Sequence, residues 1–329
     1  MQAALGVAVV GLGWWGRTIV TLLRGSPRLK LVLGVDVQPT ALEGLRVITS
    51  YEEALRDPHV EAVILCTPHS QHTEQIVQAA RAKKHVFCEK PLSLSRSEVL
   101  RAVKACNDNH IVLAVGHEKR FEPPVQEVFR MAREGTLGTL LQIEANFSQD
   151  KFLSLPQDNW RLSGSEAPAG PMTATGIHLL DLSVGLFGAA DRVFASVKQL
   201  GSNLSNGDTL AVLVSHKRGG NSLISAVLAT PFDGRFALYG NQGWAEVRDK
   251  AHPERPEGWT LKKCIRNEKP QTIEFPPAKA VLANLEAFAA AAQGGAPYPV
   301  PQGEMIANVS ALEAIFKSAA SGKAEQVVS

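Results

Sequence analysis

A chain of 329 residues exceeds the roughly 100–200 residues of one ordinary domain, so two domains are expected. Its 45% hydrophobic and 20% charged residues match a soluble globular protein and exclude a disordered chain, a coiled coil and a collagen-like fibre. A net charge of +2 without a Lys/Arg-dense block excludes the footprint of a nucleic-acid binder, and no apolar run reaches the ~18 residues that span a bilayer.

Leu5–Val10 is an unbroken apolar run that ends at a glycine and reads as a buried strand. A helical pattern over Trp14–Leu23 follows, stopped by Gly25-Ser26-Pro27. Leu29–Val37 and Val60–Cys66 read as further buried strands, with a short strand at Arg46–Thr49 and a short helix at Tyr51–Arg56 between them. Helix Gln71–Ala82, strand His85–Cys88, helix Ser95–Asn107 and strand Ile111–Val115 continue the alternation. Apolar strands separated by helices predict a doubly wound parallel sheet, a Rossmann-type domain over residues 1–120. The pattern changes at Phe121-Glu122-Pro123-Pro124, where a helix running to Glu134 begins. Period-two strands are then expected at Leu137–Phe147, Arg192–Leu200, Thr209–Lys217, Ser222–Thr230, Arg235–Tyr239 and Trp244–Asp249, with one helix near Thr173–Phe187. Helices Ala278–Ala292 and Gly303–Ser321 close the chain. Residues 121–329 are therefore expected to form an α/β domain with a large, mostly antiparallel open sheet. The polar stretch Ser148–Gly170 is long for a connection, as binding loops and lids often are.

Gly11-Leu12-Gly13-Trp14-Trp15-Gly16 is a GxGxxG that follows a strand and opens a helix, with Asp36 at the end of the next strand. Gly11 permits the tight turn, Gly13 lets the backbone approach a pyrophosphate, and Gly16 lets helix and strand pack closely. The helix start then offers N–H groups to phosphate. Asp36 is placed to accept hydrogen bonds from an adenosine ribose. A carboxylate there repels a 2′-phosphate, and Val37 and Gln38 bring no cation, so NAD is favoured over NADP. Of Trp14 and Trp15, one is expected to pack inward and the other to flank nicotinamide or substrate, unless both fill the seam between the domains. His69, His72, His85 and His117 lack metal-ligand spacing, and neither HExxH nor GxSxG occurs, so no metal site is expected. Cys66, Cys88, Cys106 and Cys264 form no CxxC pair and read as free thiols of a reducing cytosol. The N-terminal apolar run is short and has no basic residue ahead of it, so a cytoplasmic protein is expected.

Cys66-Thr67-Pro68-His69-Ser70-Gln71-His72 and Ala82-Lys83-Lys84-His85-Val86-Phe87-Cys88-Glu89-Lys90-Pro91 follow the next two strands. With the glycine fingerprint, they resemble the TPxxxH and AGKHVxxEKP patterns of the glucose–fructose oxidoreductase/inositol dehydrogenase/rhizopine-catabolism family, Gfo/Idh/MocA. The resemblance continues through Gly116–Phe121, Asn159-Trp160-Arg161, Gly176–Asp181 and Gly240–Gly243, and so covers essentially the whole chain. It implies a Rossmann domain followed by an α/β domain with an open sheet. It also implies that Thr67, Pro68, His72, Glu89 and Lys90 lie with the fingerprint at the cofactor. Lys90 would contact the reacting hydroxyl, His178 would give or take its proton, and Trp160 and Arg161 would meet the substrate. On a helix His178 and Asp181 share a face, so Asp181 is expected to tune the imidazole. The chain departs from the pattern at four places: Lys83 replaces the glycine of AGKHVxxEKP, and three more follow. Ala174 stands where many inositol dehydrogenase-like members carry Asp, Pro171 replaces a glycine, and Glu118 replaces Asn.

The reading expected is an NAD-dependent oxidoreductase of a sugar, cyclitol or related polyol. Alternatives are an NAD(P)-binding sensor without turnover, or a bound-cofactor oxidoreductase of dihydrodiol or glycosidic substrates. An open sheet face further predicts a homodimer or homotetramer, with no nucleic-acid or membrane partner.

Overall fold

The computed structural model describes residues 3–38 and 41–328. The chain forms two compact units. One holds the chain up to His117 together with Val281–Ile306; the other holds Glu118–Ala280 and the residues from Ala307 onward. A single boundary at residue 120 therefore lacks a return segment, for which the apolar core supplies the reason below.

In the first unit, strands β1 (Leu5–Val10), β2 (Leu29–Val35), β3 (Val47–Ile48), β4 (Ala62–Leu65), β5 (His85–Cys88) and β6 (Leu113–Val115) form one sheet. Its order is β3-β2-β1-β4-β5-β6, with every neighbouring pair parallel. Helices α1 (Trp14–Leu23), α2 (Tyr51–Arg56), α3 (His69–Arg81) and α4 (Arg96–Asp108) connect the strands. Strands β1 and β4 are buried along their whole length, as expected of apolar runs covered on both faces. The chain leaves β1 in one direction and resumes at β4 on its other side, so the strand order reverses there. In open parallel sheets that reversal, at the carboxyl ends of the strands, is where ligands bind.

The return segment completes this unit. Helix α7 (Ala280–Ala292) adds Leu285, Phe288 and Ala289 to the core of β1, β4 and β5, with Phe288 edge-on to Phe87 at 5.9 Å. Asn284 Nδ2 and the Tyr298 hydroxyl both donate to the Val115 carbonyl, at 3.0 and 2.8 Å. The Val115 N–H in turn donates to the Tyr298 oxygen at 3.3 Å, so the backbone at the end of edge strand β6 is satisfied by side chains.

The second unit opens with a 3₁₀ turn at Glu118–Phe121 and helix α5 (Pro123–Arg133). Its sheet contains β7 (Leu140–Ser148), β8 (Ala190–Lys198), β9 (Thr209–His216), β10 (Asn221–Val227), β11 (Asp233–Gly240), β12 (Gly243–Asp249), β13 (Trp259–Ile265), β14 (Gln271–Phe275) and β15 (Glu325–Gln326). The order is β14-β13-β12-β11-β7-β10-β9-β8-β15, antiparallel except where β10 meets β7. Strands β13, β14 and β15 are additional to those expected. Trp259 and Leu261 are the only fully buried side chains of β13, and lysines interrupt its alternation, so pairing with β12 rather than pattern defines it. Helix α6 (Ile177–Phe187) is preceded by a π-helical turn at Met172–Gly176. Side chains from α5, α6 and helix α8 (Gln302–Ser321) share one core with the inner face of the sheet. On the outer face Phe194, Leu213 and Leu223 stand side by side across β8, β9 and β10, each more than two-fifths exposed. The stretch expected as a loop carries short 3₁₀ turns at Lys151–Ser154 and Trp160–Leu162. It is anchored by a small cluster of Phe152, Leu162, Leu204 and Leu228. Among the described residues, no helix is long and apolar enough to cross a membrane.

Candidate active site

Val10 of β1 is in register with Leu65 of β4, and Leu65 with Cys88 of β5. The turns that follow these three strands therefore begin level at one edge of the first unit's sheet. The first turn is the glycine fingerprint. Gly11 has φ of +87°, in the left-handed region, and a side chain there would press on the Cys66 carbonyl oxygen at 2.8 Å. A Cβ on Gly16 would collide with the Gly11 carbonyl, so this glycine sets the approach of α1 to β1. Gly13 faces open space and is the N-cap of α1, whose first turn carries no acid. An N-terminus without acidic competition beside an open glycine cradle fits a pyrophosphate. Asp36 follows β2, and its carboxylate accepts from the Leu12 N–H at 2.6 Å and from the Gln38 N–H at 2.9 Å. It thereby ties the fingerprint to the end of β2. Trp15 packs against the core of this unit while Trp14 is 46% exposed, their rings 5.8 Å apart edge to face.

The second and third turns are joined from below. His72, on α3, has no exposed surface; its Nδ1 lies 2.8 Å from the Pro91 carbonyl oxygen and its Nε2 3.0 Å from that of Thr67. Its two ring nitrogens thus engage the backbone beneath both turns. The Thr67 hydroxyl donates to Gln75 Oε1 at 2.6 Å, which holds the start of α3 to the second turn. In the third turn the Lys90–Pro91 bond is cis. Glu89 is buried, accepts from the Lys90 N–H at 3.2 Å, and lies over Gly116 where a Cβ would come within 2.6 Å of its carboxylate. Lys90 itself is half-buried at the carboxyl end of β5. Burial pushes the Cys88 thiol well above its usual range, with the neighbouring Glu89 adding to the shift, so Cys88 is a packing group and not a nucleophile.

In the second unit the side chains gather around His178, the second residue of α6. Glu118 Oε2 lies 3.5 Å from His178 Nδ1, and the Phe147 ring lies 6.0 Å from the imidazole. Asp181, three residues after His178, is engaged by Arg120. Its carboxylate receives Arg120 in a forked contact, from Nε at 2.6 Å and Nη2 at 2.9 Å, and its carbonyl accepts from Nη2 at 2.9 Å. The fork geometry of a guanidinium captures a carboxylate more firmly than an imidazole does. Lys119 of the same turn is buried between Glu122 and Asp249, with contacts of 3.2 Å to each. Burial pushes the Glu122 carboxyl up to about 8 against the pull of Lys119. Trp259 donates its indole N–H to Asp249 at 2.9 Å. Ala174, within the π turn, packs against the Phe152–Leu162–Leu204–Leu228 cluster. The Trp160-Arg161 pair stacks on itself, with the guanidinium 4.2 Å from the indole ring centre. Asn159 accepts from the Arg161 N–H at 3.0 Å, and Asn206 donates to the Arg161 carbonyl at 2.8 Å, so the pair is fixed at its backbone.

Residues 5–117 match the family model of an oxidoreductase family with an NAD-binding Rossmann fold, and residues 125–246 match that of the GFO/IDH/MocA C-terminal domain. The chain is 29% identical over 253 residues to a myo-inositol 2-dehydrogenase of Thermotoga maritima, covering 72% of this chain and 73% of that protein. It is 25% identical over 331 residues to an inositol 2-dehydrogenase of Rhizobium meliloti, covering 95% and 96%. The solved structure of an aldose–aldose oxidoreductase from Caulobacter crescentus, complexed with glycerol, superposes with a TM-score of 0.84 at 23% identity, over 98% of this chain and 99% of that one. That last likeness speaks for the fold.

Proposed function

The chain belongs to the Gfo/Idh/MocA family of oxidoreductases, and on that premise we propose that it is an NAD-dependent dehydrogenase of a sugar, cyclitol or related polyol. One observation carries the reading: the GxGxxG, TPxxxH and EKP turns begin level at the carboxyl ends of β1, β4 and β5, at the strand-order reversal. Gly11, Gly13 and Gly16 would cradle the pyrophosphate beside Trp14 and Trp15, with Thr67, Pro68 and Glu89 behind them. Asp36 would receive the adenosine ribose hydroxyls and disfavour a 2′-phosphate. When bound, nicotinamide supplies the acceptor for the substrate's hydride. The chain's own residues then handle orientation and the proton. The Lys90 ammonium stabilises negative charge growing on the substrate oxygen, and His178 accepts the hydroxyl proton. Trp160 offers an apolar face to a sugar ring, and Arg161 offers donors to its hydroxyls.

The polyol class is supported by the T. maritima and R. meliloti relatives, whose names give inositol as their substrate. Free thiols at Cys66, Cys88, Cys106 and Cys264 support work in a reducing cytoplasm. Replacing Lys90 by Ala should leave NAD binding nearly intact and lower kcat by roughly 10²–10⁴-fold. A polyol panel read at the NADH absorbance, with NAD affinity measured in parallel, checks this; an unimpaired variant would overturn the assignment. Tight NAD binding without turnover in the wild type would point to a cofactor-bound sensor.

A further inference from the structure

The acid expected beside His178 was Asp181, yet the carboxylate at its Nδ1 belongs to Glu118, which lies 60 positions earlier in the chain. We propose that Glu118 is the positioning residue for His178. Its carboxylate selects the imidazole tautomer protonated at Nδ1, which leaves Nε2 as the nitrogen able to take a proton. The consequence for catalysis rests on the function proposed above; the tautomer itself does not.

Two observations support the assignment. The first is chemical. Glu118 and His178 are 8% and 4% exposed, and their closest approach is 3.5 Å from Oε2 to Nδ1. At that distance the contact is electrostatic and not a formed hydrogen bond; because an ionised carboxylate only accepts and a neutral imidazole has one N–H, its field favours the tautomer that carries the proton on Nδ1. The second is mechanical. All three polar residues of the Glu118–Phe121 turn are committed. Lys119 is held by Glu122 and Asp249, and Arg120 by the fork to Asp181, one helical turn beyond His178. The room for that fork comes from Gly185, where a Cβ would stand 2.6 Å from Arg120 Nη1. The turn bearing the carboxylate and the helix bearing the imidazole are thus clamped together by a second, independent ion pair. A site held on both sides in this way keeps its geometry without help from the ligand.

Full-length protein labelled with ¹⁵N at histidine tests this directly, because ring-nitrogen shifts report the tautomer without substrate or cofactor. His178 is identified by the signal lost in His178→Gln. At a pH where the ring is neutral, the wild type should show Nδ1–H. Glu118→Leu, which removes the acceptor beside Nδ1, should shift the ring toward Nε2–H, and Glu118→Asp should retain Nδ1–H. A wild-type His178 carrying its proton on Nε2, or a Glu118→Leu spectrum unchanged from wild type, would overturn the proposal. In turnover, Glu118→Leu should lower kcat roughly 10²-fold or more with little change in NAD affinity, and Glu118→Asp should restore part of it. If the tautomer moves as described but no polyol is turned over even by the wild type, Glu118 keeps its assignment and the proposed activity fails.

Discussion

Asp36 shows how much one side chain decides. Its two oxygens already hold the Leu12 and Gln38 N–H groups, so the carboxylate is fixed at the entrance to the fingerprint before any ligand arrives. A second negative group brought against it costs several kcal/mol, and every 1.4 kcal/mol is about tenfold in affinity. NADP is therefore expected to bind at least about tenfold more weakly than NAD. Asp36→Ser should narrow the gap. Isothermal titration with both cofactors decides it, and tighter NADP binding by the wild type would exclude the reading. The glycines were legible from the sequence because their roles are local: a turn, an open cradle and a close approach. The two acid–histidine relations were not. Spacing on α6 put Asp181 beside His178, but Arg120, from a different element, engages Asp181. Likewise the TPxxxH pattern does not show that His72 turns inward under two loops, since the second carbonyl it meets belongs to Pro91.

Elements with a strong period were readable at this scale. The buried strands β1, β2, β4 and β5 and the alternating β9 and β10 fall where the pattern predicts. The π turn before α6 left no such mark, because one widened turn over Met172–Gly176 is too short to change the helical period it joins. The buried Lys119–Glu122–Asp249 group, which fastens the start of α5 to β12, was equally hidden. It makes a prediction of its own. Glu122 titrates near 8 in the fold and near 4.5 when unconstrained. Between those values the folded protein keeps a proton that the unfolded chain releases, so stability falls as pH rises through the window. Urea unfolding midpoints compared at about pH 5 and about pH 8 should drop more for the wild type than for Glu122→Gln. Equal drops would show that the group carries no such linkage.

At the scale of the whole molecule, the parallel and the mostly antiparallel sheets were both anticipated, and with them the change of pattern near Phe121. The outer face of the nine-stranded sheet is where the expected self-association would act. Its row of Phe194, Leu213 and Leu223 is apolar and neighbouring, as the interior of a symmetric contact requires. We expect the wild type to sediment as a dimer or tetramer at micromolar concentration and Leu213→Glu to shift toward the monomer. A monomeric wild type would rule this out. The division into units was only half legible, because a helix that returns to an earlier core has the same composition as one that stays.

That return has a consequence in time. Synthesis proceeds from the amino end, so the six strands of the first sheet leave the ribosome well before Leu285, Phe288 and Ala289, which complete their core. Every strand of the second sheet except β15 emerges in between. Until Asn284 and Tyr298 arrive, Val115 at the end of β6 lacks the side chains that satisfy its backbone. The nascent first unit is thus begun first and completed late, a window in which an unfinished apolar core and an uncapped edge call for shelter by chaperones.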